Sequence, residues 1–140
     1  MKFGLFSNGQ RHNPIARDTY REDIEEIILA DELGMSEAWI SEHGTFVSHH
    51  APDQMPCADL LICKALSLTK QIRMGPGIRP LPFFHPLQVA TDCAVCDHLA
   101  DGRYMAGFGL GQLFFQSPGR INNEHAAGLK TALSWNIFHS

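Results

Sequence analysis

The stretch "RMGPGIRPLPFFHPLQVATDCAVCDHLADGRY", residues 73–104, decides the fold. The run from Ile72 to Ile78 has the length and apolar content of a strand. Pro86 suits the first turn of a helix, and the apolar residues that follow recur on one helical face, namely Val89, Cys93, Cys96 and Ala100. Asp101-Gly102 predicts a turn before a further strand, "RYMAGFGLG", at residues 103–111. This order of strand, helix and strand predicts a parallel βαβ unit with a right-handed crossover.

The same alternation extends towards the amino terminus. Strands are predicted at residues 2–7 and 37–41, and helical periodicity predicts a helix at residues 16–33, which Gly34 ends. The apolar stripe of this helix holds Tyr20, Ile24, Ile27 and Ile28. A second helix carries a stripe of Ala58, Leu61, Ile62, Ala65 and either Leu68 or Thr69. Strands that begin near residues 2, 37, 72 and 103, each separated by one helix, predict an α/β fold of about four parallel βα units.

The unusual residues of the sequence lie where the predicted strands end. Parallel strands place their binding loops at the carboxyl ends, which here are Ser7-Asn8, residues 41–43, Gly77-Ile78 and residues 109–111. The glycines on either side of Pro76 are uncommon inside a central strand. They indicate a place where another backbone segment or a ligand comes close.

Composition excludes several classes of protein. The 140 residues favour a single domain, and the net charge of −4, with eleven scattered Lys and Arg residues, makes nucleic acid and anionic lipid poor partners. No apolar run approaches the ~20 residues that a membrane helix needs. The amino terminus shows no secretion signal, so we expect a cytoplasmic protein whose four cysteines are reduced thiols.

Three groups of residues have side chains that could take part in chemistry. Glu42-His43 places a carboxylate beside an imidazole at a predicted strand end, which suits acid–base chemistry, although a solvated turn is an equally simple interpretation. The pair His49-His50 lacks the spacing of a zinc motif, so we expect no metal site. The cysteines of the CxxC pattern at residues 93–96 lie within a helix and not at its amino terminus, which favours packing over redox chemistry.

Taken together, "MKFGLF", "AWISEH", the stretch at residues 73–104 and "GFGLG" resemble the amino-terminal half of the bacterial luciferase-like flavin-dependent monooxygenases. The resemblance covers residues 1–118. Members of this family are (β/α)8 TIM barrels that take reduced FMN (FMNH2) from a separate flavin reductase and form a flavin hydroperoxide with O2. They oxidise a small organic substrate, and some relatives use the deazaflavin F420 instead. The resemblance therefore implies the amino-terminal portion of a TIM barrel.

The resemblance also implies roles for particular residues. His43 matches a catalytic acid–base histidine and Glu42 a residue at the flavin edge, whereas Gly44 replaces the second histidine of the family. Gly77-Ile78 matches a non-proline cis peptide beneath the flavin ring. Further cofactor-binding positions are Gly109, Leu110 and Gln112. The first two stand where the luciferases have a reactive cysteine and an arginine, which favours a non-luminescent oxygenase acting on a ketone, aldehyde, terpene or alkane-like substrate.

Length limits what can be expected of the chain itself. A TIM barrel typically needs about 250 residues, so we expect residues 1–140 to be a truncated luciferase-like monooxygenase domain. Its family-like part is expected at residues 1–118, and a divergent tail with a short helix near residues 126–134 at residues 119–140. Two functions stay open, an FMN-dependent monooxygenase and a non-catalytic flavin-binding or inactive half-barrel. Luciferase-like barrels commonly form dimers, so we also expect a homodimer.

Overall fold

The structure, a computed structural model, describes residues 1–9, 15–42, 55 and 57–110, apart from the side chain of Ala16. Its elements, in chain order, are β1 (Gly4–Ser7), α1 (Ala16–Glu32), β2 (Glu37–Ile40), α2 (Ala58–Leu66), β3 (Arg73–Pro76), β4 (Arg79–Pro80), a 3-10 turn (Leu81–Phe83), α3 (Pro86–Leu99) and β5 (Phe108–Gly109). The helix expected near residues 126–134 and the expected tail lie outside the described residues. None of the described helices is long and apolar enough to cross a membrane.

The described strands are parallel and follow one another in chain order. β1 pairs with β2 and β2 with β3, so that Ser7, Ile40 and Pro76 stand side by side. The chain then continues the pattern through a parallel bridge between Met74 and Tyr104 and through the pairing of β4 with β5. This alternation of parallel strands and helices confirms the predicted α/β fold, a fragment of a barrel of parallel strands.

Two strand predictions were too simple. The strand expected from Ile72 to Ile78 ends at Pro76, and the short β4 follows after a turn at Gly77-Ile78. The strand expected at residues 103–111 is reduced to the bridge at Tyr104 and to β5. The turn at Gly77-Ile78 separates the two sheets. β3 pairs with β2 before the turn, and β4 pairs with β5 after it.

Two glycines allow the third and fourth strand segments to approach each other. A Cβ atom on Gly75 would lie 2.3 Å from the carbonyl oxygen of Met105, and one on Gly107 would lie 2.2 Å from that of Pro76. Neither distance is possible for a real side chain. The close approach indicated by the sequence is therefore made by backbone, and only glycine fits at either position.

The helices pack on one face of the sheet. The buried face of α3 agrees with the predicted one, whereas that of α1 differs from it. All four residues of the predicted α3 stripe are buried, and Thr69 rather than Leu68 continues the stripe of α2. In α1 the buried face is Thr19, Asp23, Ile27, Ala30 and Asp31, whereas Tyr20, Ile24 and Ile28 are only half-buried. The predicted stripe of α1 differs from its buried face because two polar residues, Thr19 and Asp23, occupy core positions, which a pattern of apolar residues cannot predict.

The opposite face of the sheet carries aromatic residues. Ala38 and Ile40 of β2 are fully buried in the core beneath the helices, so Trp39 between them points to the other side. Phe6 pairs with Trp39 in the register of β1 and β2 and is 62% exposed. This second face, which carries Phe6 and Trp39, corresponds to the inside of a barrel.

Candidate functional site

The carboxyl ends of the strands lie along one edge, although β1, β2 and β3 pair in one sheet and β4 and β5 in another. Backbone hydrogen bonds connect Ser41 N–H with the Ser7 carbonyl at 2.9 Å and Gly77 N–H with the Ile40 carbonyl at 2.7 Å. A third bond, from Arg79 N–H to the Gly107 carbonyl, measures 2.8 Å. Residues that are far apart in the sequence therefore lie next to one another at this edge, which we call the strand-end surface and define as Ser7, Ser41, Glu42, Gly77, Ile78, Gly107, Gly109 and Leu110.

Glu42 is the titratable residue of this surface. Its Oε2 atom accepts a hydrogen bond of 3.3 Å from Ala58 N–H, which lies in the first turn of α2. Burial and the negative charge of Asp59 raise the pKa of Glu42 to about 7, although the bond from Ala58 and the charge of Arg79 act in the opposite direction. A carboxyl with this pKa can both give and accept a proton near neutral pH.

A buried charge network lies beneath Glu42. Arg79, only 4% exposed, forms ion pairs with Asp59 of α2 and, at 2.7 Å, with Asp92 of α3. The hydroxyl of Tyr104 donates a bond of 2.6 Å to Asp59, and the guanidinium carbon of Arg79 lies 4.3 Å from the centre of the Phe84 ring. Each buried charge thus has an opposite charge or a hydrogen-bond donor, as burial requires.

Sequence reasoning missed this network. Its hydrogen-bonded pairs are separated by 13 to 45 positions, so no local motif connects them. A usable signal was Arg79 itself, which is an isolated charge within the otherwise apolar stretch from Ile78 to Phe84. A lone arginine in such a context indicates a buried partner of opposite charge.

The glycine-rich part of the surface is formed by three residues. The peptide bond between Gly77 and Ile78 is cis, which confirms that prediction. A Cβ atom on Gly77 would lie 3.3 Å from Cβ of Trp39, and one on Gly109 would lie 2.9 Å from Cδ1 of Ile78. Gly77 and Gly109 thus leave room for Trp39 and Ile78 and contribute only backbone to the surface, and the adjoining Leu110 side chain is 57% exposed.

Polar side chains lie at the carboxyl ends of β1 and β2. The Ser7 hydroxyl donates a bond of 2.8 Å to the buried Asp23 carboxylate of α1 and accepts one of 3.2 Å from Gly9 N–H. Ser41 is 5% exposed, and its hydroxyl has no hydrogen-bond partner among the residues that the structure describes. Ser7 and Asp23 were not recognised as a pair from the sequence, because helical periodicity alone treats position 23 as a surface site.

The structure brings together five of the seven site residues expected from the sequence: Glu42, Gly77, Ile78, Gly109 and Leu110. The remaining two, His43 and Gln112, lie outside the described residues, as do Gly44, His49 and His50. Within the described ranges no group of three His, Cys, Asp or Glu side chains is placed to hold a metal ion.

Parallel βα units with polar and glycine residues at the strand ends define an enzyme-like barrel fragment. The chain belongs to the luciferase-like monooxygenase family, which it matches over residues 1–125. It is 31% identical over 118 residues to the oxygenase component of the flavin-dependent trigonelline monooxygenase of Acinetobacter baylyi, covering 83% of this chain and 32% of that protein.

Solved structures show the same relationship. The oxygenating constituent of 3,6-diketocamphane monooxygenase from Pseudomonas putida, solved in complex with FMN, superposes with a TM-score of 0.78 at 26% identity and covers 95% of this chain. A coenzyme F420 dependent tetrahydromethanopterin reductase from Methanopyrus kandleri superposes with a TM-score of 0.62 at 25% identity over 79% of this chain. The matches span 38% and 27% of those two chains. The first matched curated relatives are likewise spanned over only 24% to 32% of their length.

Proposed function

We propose that the chain provides the amino-terminal part of the active site of a flavin-dependent monooxygenase that uses reduced FMN and O2 to oxidise a small organic substrate. The observation that carries the proposal is the strand-end surface, where an ionisable carboxyl adjoins an edge made largely of backbone. Family membership supports the same conclusion. The flavin-dependent trigonelline oxygenase and the FMN complex of the diketocamphane enzyme are the relatives that favour FMN over F420.

The residues of the surface fit a flavin. A planar ring system can lie closest to the chain where side chains are absent, and Gly77 and Gly109 add no side chain to this edge. Leu110 supplies exposed apolar area beside them, and the buried Ser41 hydroxyl has free hydrogen-bonding capacity among the described residues. When bound, reduced flavin supplies the electrons that activate O2.

Glu42 acts in this proposal as a proton-transferring group at the flavin edge. Its bond to Ala58 N–H fixes the carboxyl against the start of α2, and its pKa of about 7 leaves both protonation states populated near neutral pH. Arg79 and Asp59 act as positioning residues, because they set the charge around Glu42 without belonging to the surface. His43 is proposed as the neighbouring catalytic acid–base group, with Ile78, Gly109, Leu110 and Gln112 along the cofactor.

The proposed substrate is a ketone, aldehyde, terpene or alkane-like compound, and the proposed partner is a flavin reductase that supplies FMNH2. The diketocamphane enzyme supports the substrate class, and the description of the trigonelline enzyme as an oxygenase component supports the partner. We also propose a homodimer, a family-like part at residues 1–118 and a divergent tail at residues 119–140, and note that the family match reaches residue 125.

A second function, flavin binding without oxygenation, would use the same strand-end surface but would not need proton transfer by Glu42. An anaerobic mixture of the chain with FMNH2 and a bicyclic ketone, followed by admission of O2, separates the two functions. Monooxygenation predicts an oxygenated product that Glu42→Gln reduces about tenfold or more. The matched control is Glu37→Gln, a half-buried carboxylate at the other end of the same strand. Binding of FMNH2 with release of H2O2 alone would support the second function.

A further inference from the structure

Two cysteine side chains from different helices meet behind the sheet, away from the strand-end surface. The Cys63 thiol of α2 donates a hydrogen bond to the Cys96 sulfur of α3, and the two Sγ atoms lie 2.9 Å apart. Both are free thiols. Since a disulfide bond measures about 2.05 Å, a displacement of less than about 1 Å would allow the two sulfurs to bond.

We propose that Cys63 and Cys96 form an oxidisable pair that hydrogen peroxide converts into a disulfide between α2 and α3. The local motif points elsewhere, because the CxxC spacing would couple Cys93 with Cys96. Cys93 instead lies 3.9 Å from the Tyr104 hydroxyl, on the side of the buried charge network. Position in the fold, and not spacing in the sequence, therefore selects the partner of Cys96. This inference is independent of the proposed function.

The chemistry needs one peroxide for each pair. Cys63 is half-buried and Cys96 is nearly inaccessible, so the peroxide reaches Cys63 first. The Cys63 thiolate attacks one peroxide oxygen, the O–O bond breaks, and the departing hydroxide takes up a proton, which leaves a sulfenic acid. The Cys96 sulfur then attacks the Cys63 sulfur, the S–O bond breaks, and the Cys96 proton leaves with the hydroxide as water. The two thiols lose two electrons, and the peroxide becomes two water molecules.

Cys96 reacts second, as the resolving residue. Burial, together with the adjacent Cys63 thiol, raises the pKa of Cys96, which keeps this thiol unreactive towards peroxide. Its sulfur lies 2.9 Å from that of Cys63, close enough to attack the sulfenic acid once it has formed. The new bond would join the helices that carry Asp59 and Asp92, the two carboxylate partners of Arg79. Oxidation is thus expected to tighten the packing around the buried charge network and to close a chain loop, which raises the melting temperature.

The test uses the complete 140-residue chain with Cys57→Ser, which removes the exposed thiol that would join two chains. After treatment with H2O2, the remaining thiols are alkylated and the peptides are mapped by mass spectrometry without reduction. The expected result is one cross-linked peptide pair that contains Cys63 and Cys96. The link should be lost in Cys63→Ser and Cys96→Ser and retained in Cys93→Ser.

A link between Cys93 and Cys96, complete alkylation after peroxide, or sulfinic acid without a cross-link would each overturn the proposal. These outcomes are read from the Cys57→Ser chain alone, so they do not depend on the folding of the other variants. The linked chain is also expected to melt roughly 5 °C or more above the chain reduced with dithiothreitol. An equal melting temperature would contradict the expected tightening of α2 against α3.

Discussion

Glu42 is the residue on which the electrostatics of the strand-end surface depend most. It lies at the end of β2, where the sequence alone shows only a carboxylate before a histidine. The structure shows which groups surround this carboxylate. Ala58 N–H at the start of α2 donates a hydrogen bond to it, and the charges of Asp59 and Arg79 lie nearby. Because these neighbours come from positions 58 to 79, the raised pKa of Glu42 is a property of the fold.

The first prediction concerns the pH dependence of stability. The folded-state pKa of Glu42, about 7, lies above its ordinary value of 4.5, so the folded chain binds the extra proton between these pH values. The contribution of Glu42 is therefore complete below about pH 4.5 and is lost as the pH rises through 7. Glu42→Gln, which keeps the acceptor for Ala58 N–H, should be the more stable chain at pH 8 by on the order of 1 kcal/mol, since partial exposure screens the charge.

Urea unfolding of the wild type and of Glu42→Gln at pH 4 and pH 8 measures this effect. At pH 4 the two free energies of unfolding should agree, and Glu37→Gln serves as the control carboxylate on the same strand. A difference between wild type and Glu42→Gln that is the same at both pH values would refute the assigned pKa shift.

The second prediction concerns Asp31 near the end of α1. Its carboxylate accepts backbone N–H bonds from Lys70 at 2.8 Å, Gln71 at 2.9 Å and Ile72 at 2.7 Å, and so holds the loop before β3. Burial opposes ionisation, but these three donors and Arg103 outweigh it and lower the pKa of Asp31. Asp31→Asn turns an amide N–H2 group towards at least one donor, which should lower the free energy of unfolding at pH 7 by about 1–3 kcal/mol.

Asp31 also gives this prediction a pH signature. A lowered pKa means that its stabilisation is present above the ordinary carboxyl range and disappears as the pH falls through the folded-state pKa. The difference in free energy of unfolding between wild type and Asp31→Asn should therefore become smaller at acid pH. Glu32→Gln, at the exposed neighbouring position, should change the free energy of unfolding little at any pH. A gap that widens towards low pH would argue against the stabilising role of the charged carboxylate.

At the scale of elements, the charge network fixes α2 and α3 to β4. Arg79 supplies the positive charge from the short strand, and each helix supplies one carboxylate. The two helices thus meet through polar contacts as well as through apolar residues such as Ile62 and Val89. Removing one charge from such a network leaves the opposite charges buried without compensation.

The third prediction follows from this arrangement. Arg79→Met should lower the free energy of unfolding by about 3–5 kcal/mol, because Asp59 and Asp92 lose their common partner. Arg73→Met, which removes an exposed arginine from β3, should cost far less. Adding Asp59→Asn to Arg79→Met should recover part of the loss, as a double-mutant cycle by urea unfolding can measure. A cycle with strictly additive effects would mean that Arg79 and Asp59 do not stabilise each other.

The elements also show which parts of the fold are predictable from sequence. The buried face of α3 was predictable because Pro86 marks its start and four apolar residues keep helical spacing. The face of α1 was not, since Asp23 is buried through a hydrogen bond to Ser7, sixteen positions away. The strand ends were predictable from glycines and turn residues, whereas the interruption after Pro76 depends on pairing between segments that the sequence does not show.

At the scale of the whole molecule, the chain is part of a barrel of the luciferase-like monooxygenase family. The carboxyl ends of its described strands lie along one edge, and Phe6 on its inner face is 62% exposed. The family resemblance predicts the candidate site along this edge. The proposal that this site takes FMN and a small organic compound can be tested directly.

A titration of the purified 140-residue chain with FMN, followed by flavin fluorescence, tests the claim that the strand-end surface binds a flavin. We expect saturable binding that Gly77→Val weakens at least about tenfold, or ~1.4 kcal/mol, because the added Cβ atom would lie 3.3 Å from Cβ of Trp39 and force the backbone at this edge to shift. Val95→Ala, at an exposed site on α3, should bind FMN like the wild type, and circular dichroism should show that both variants are folded. Absence of saturable binding, or equal binding by folded Gly77→Val, would contradict the claim.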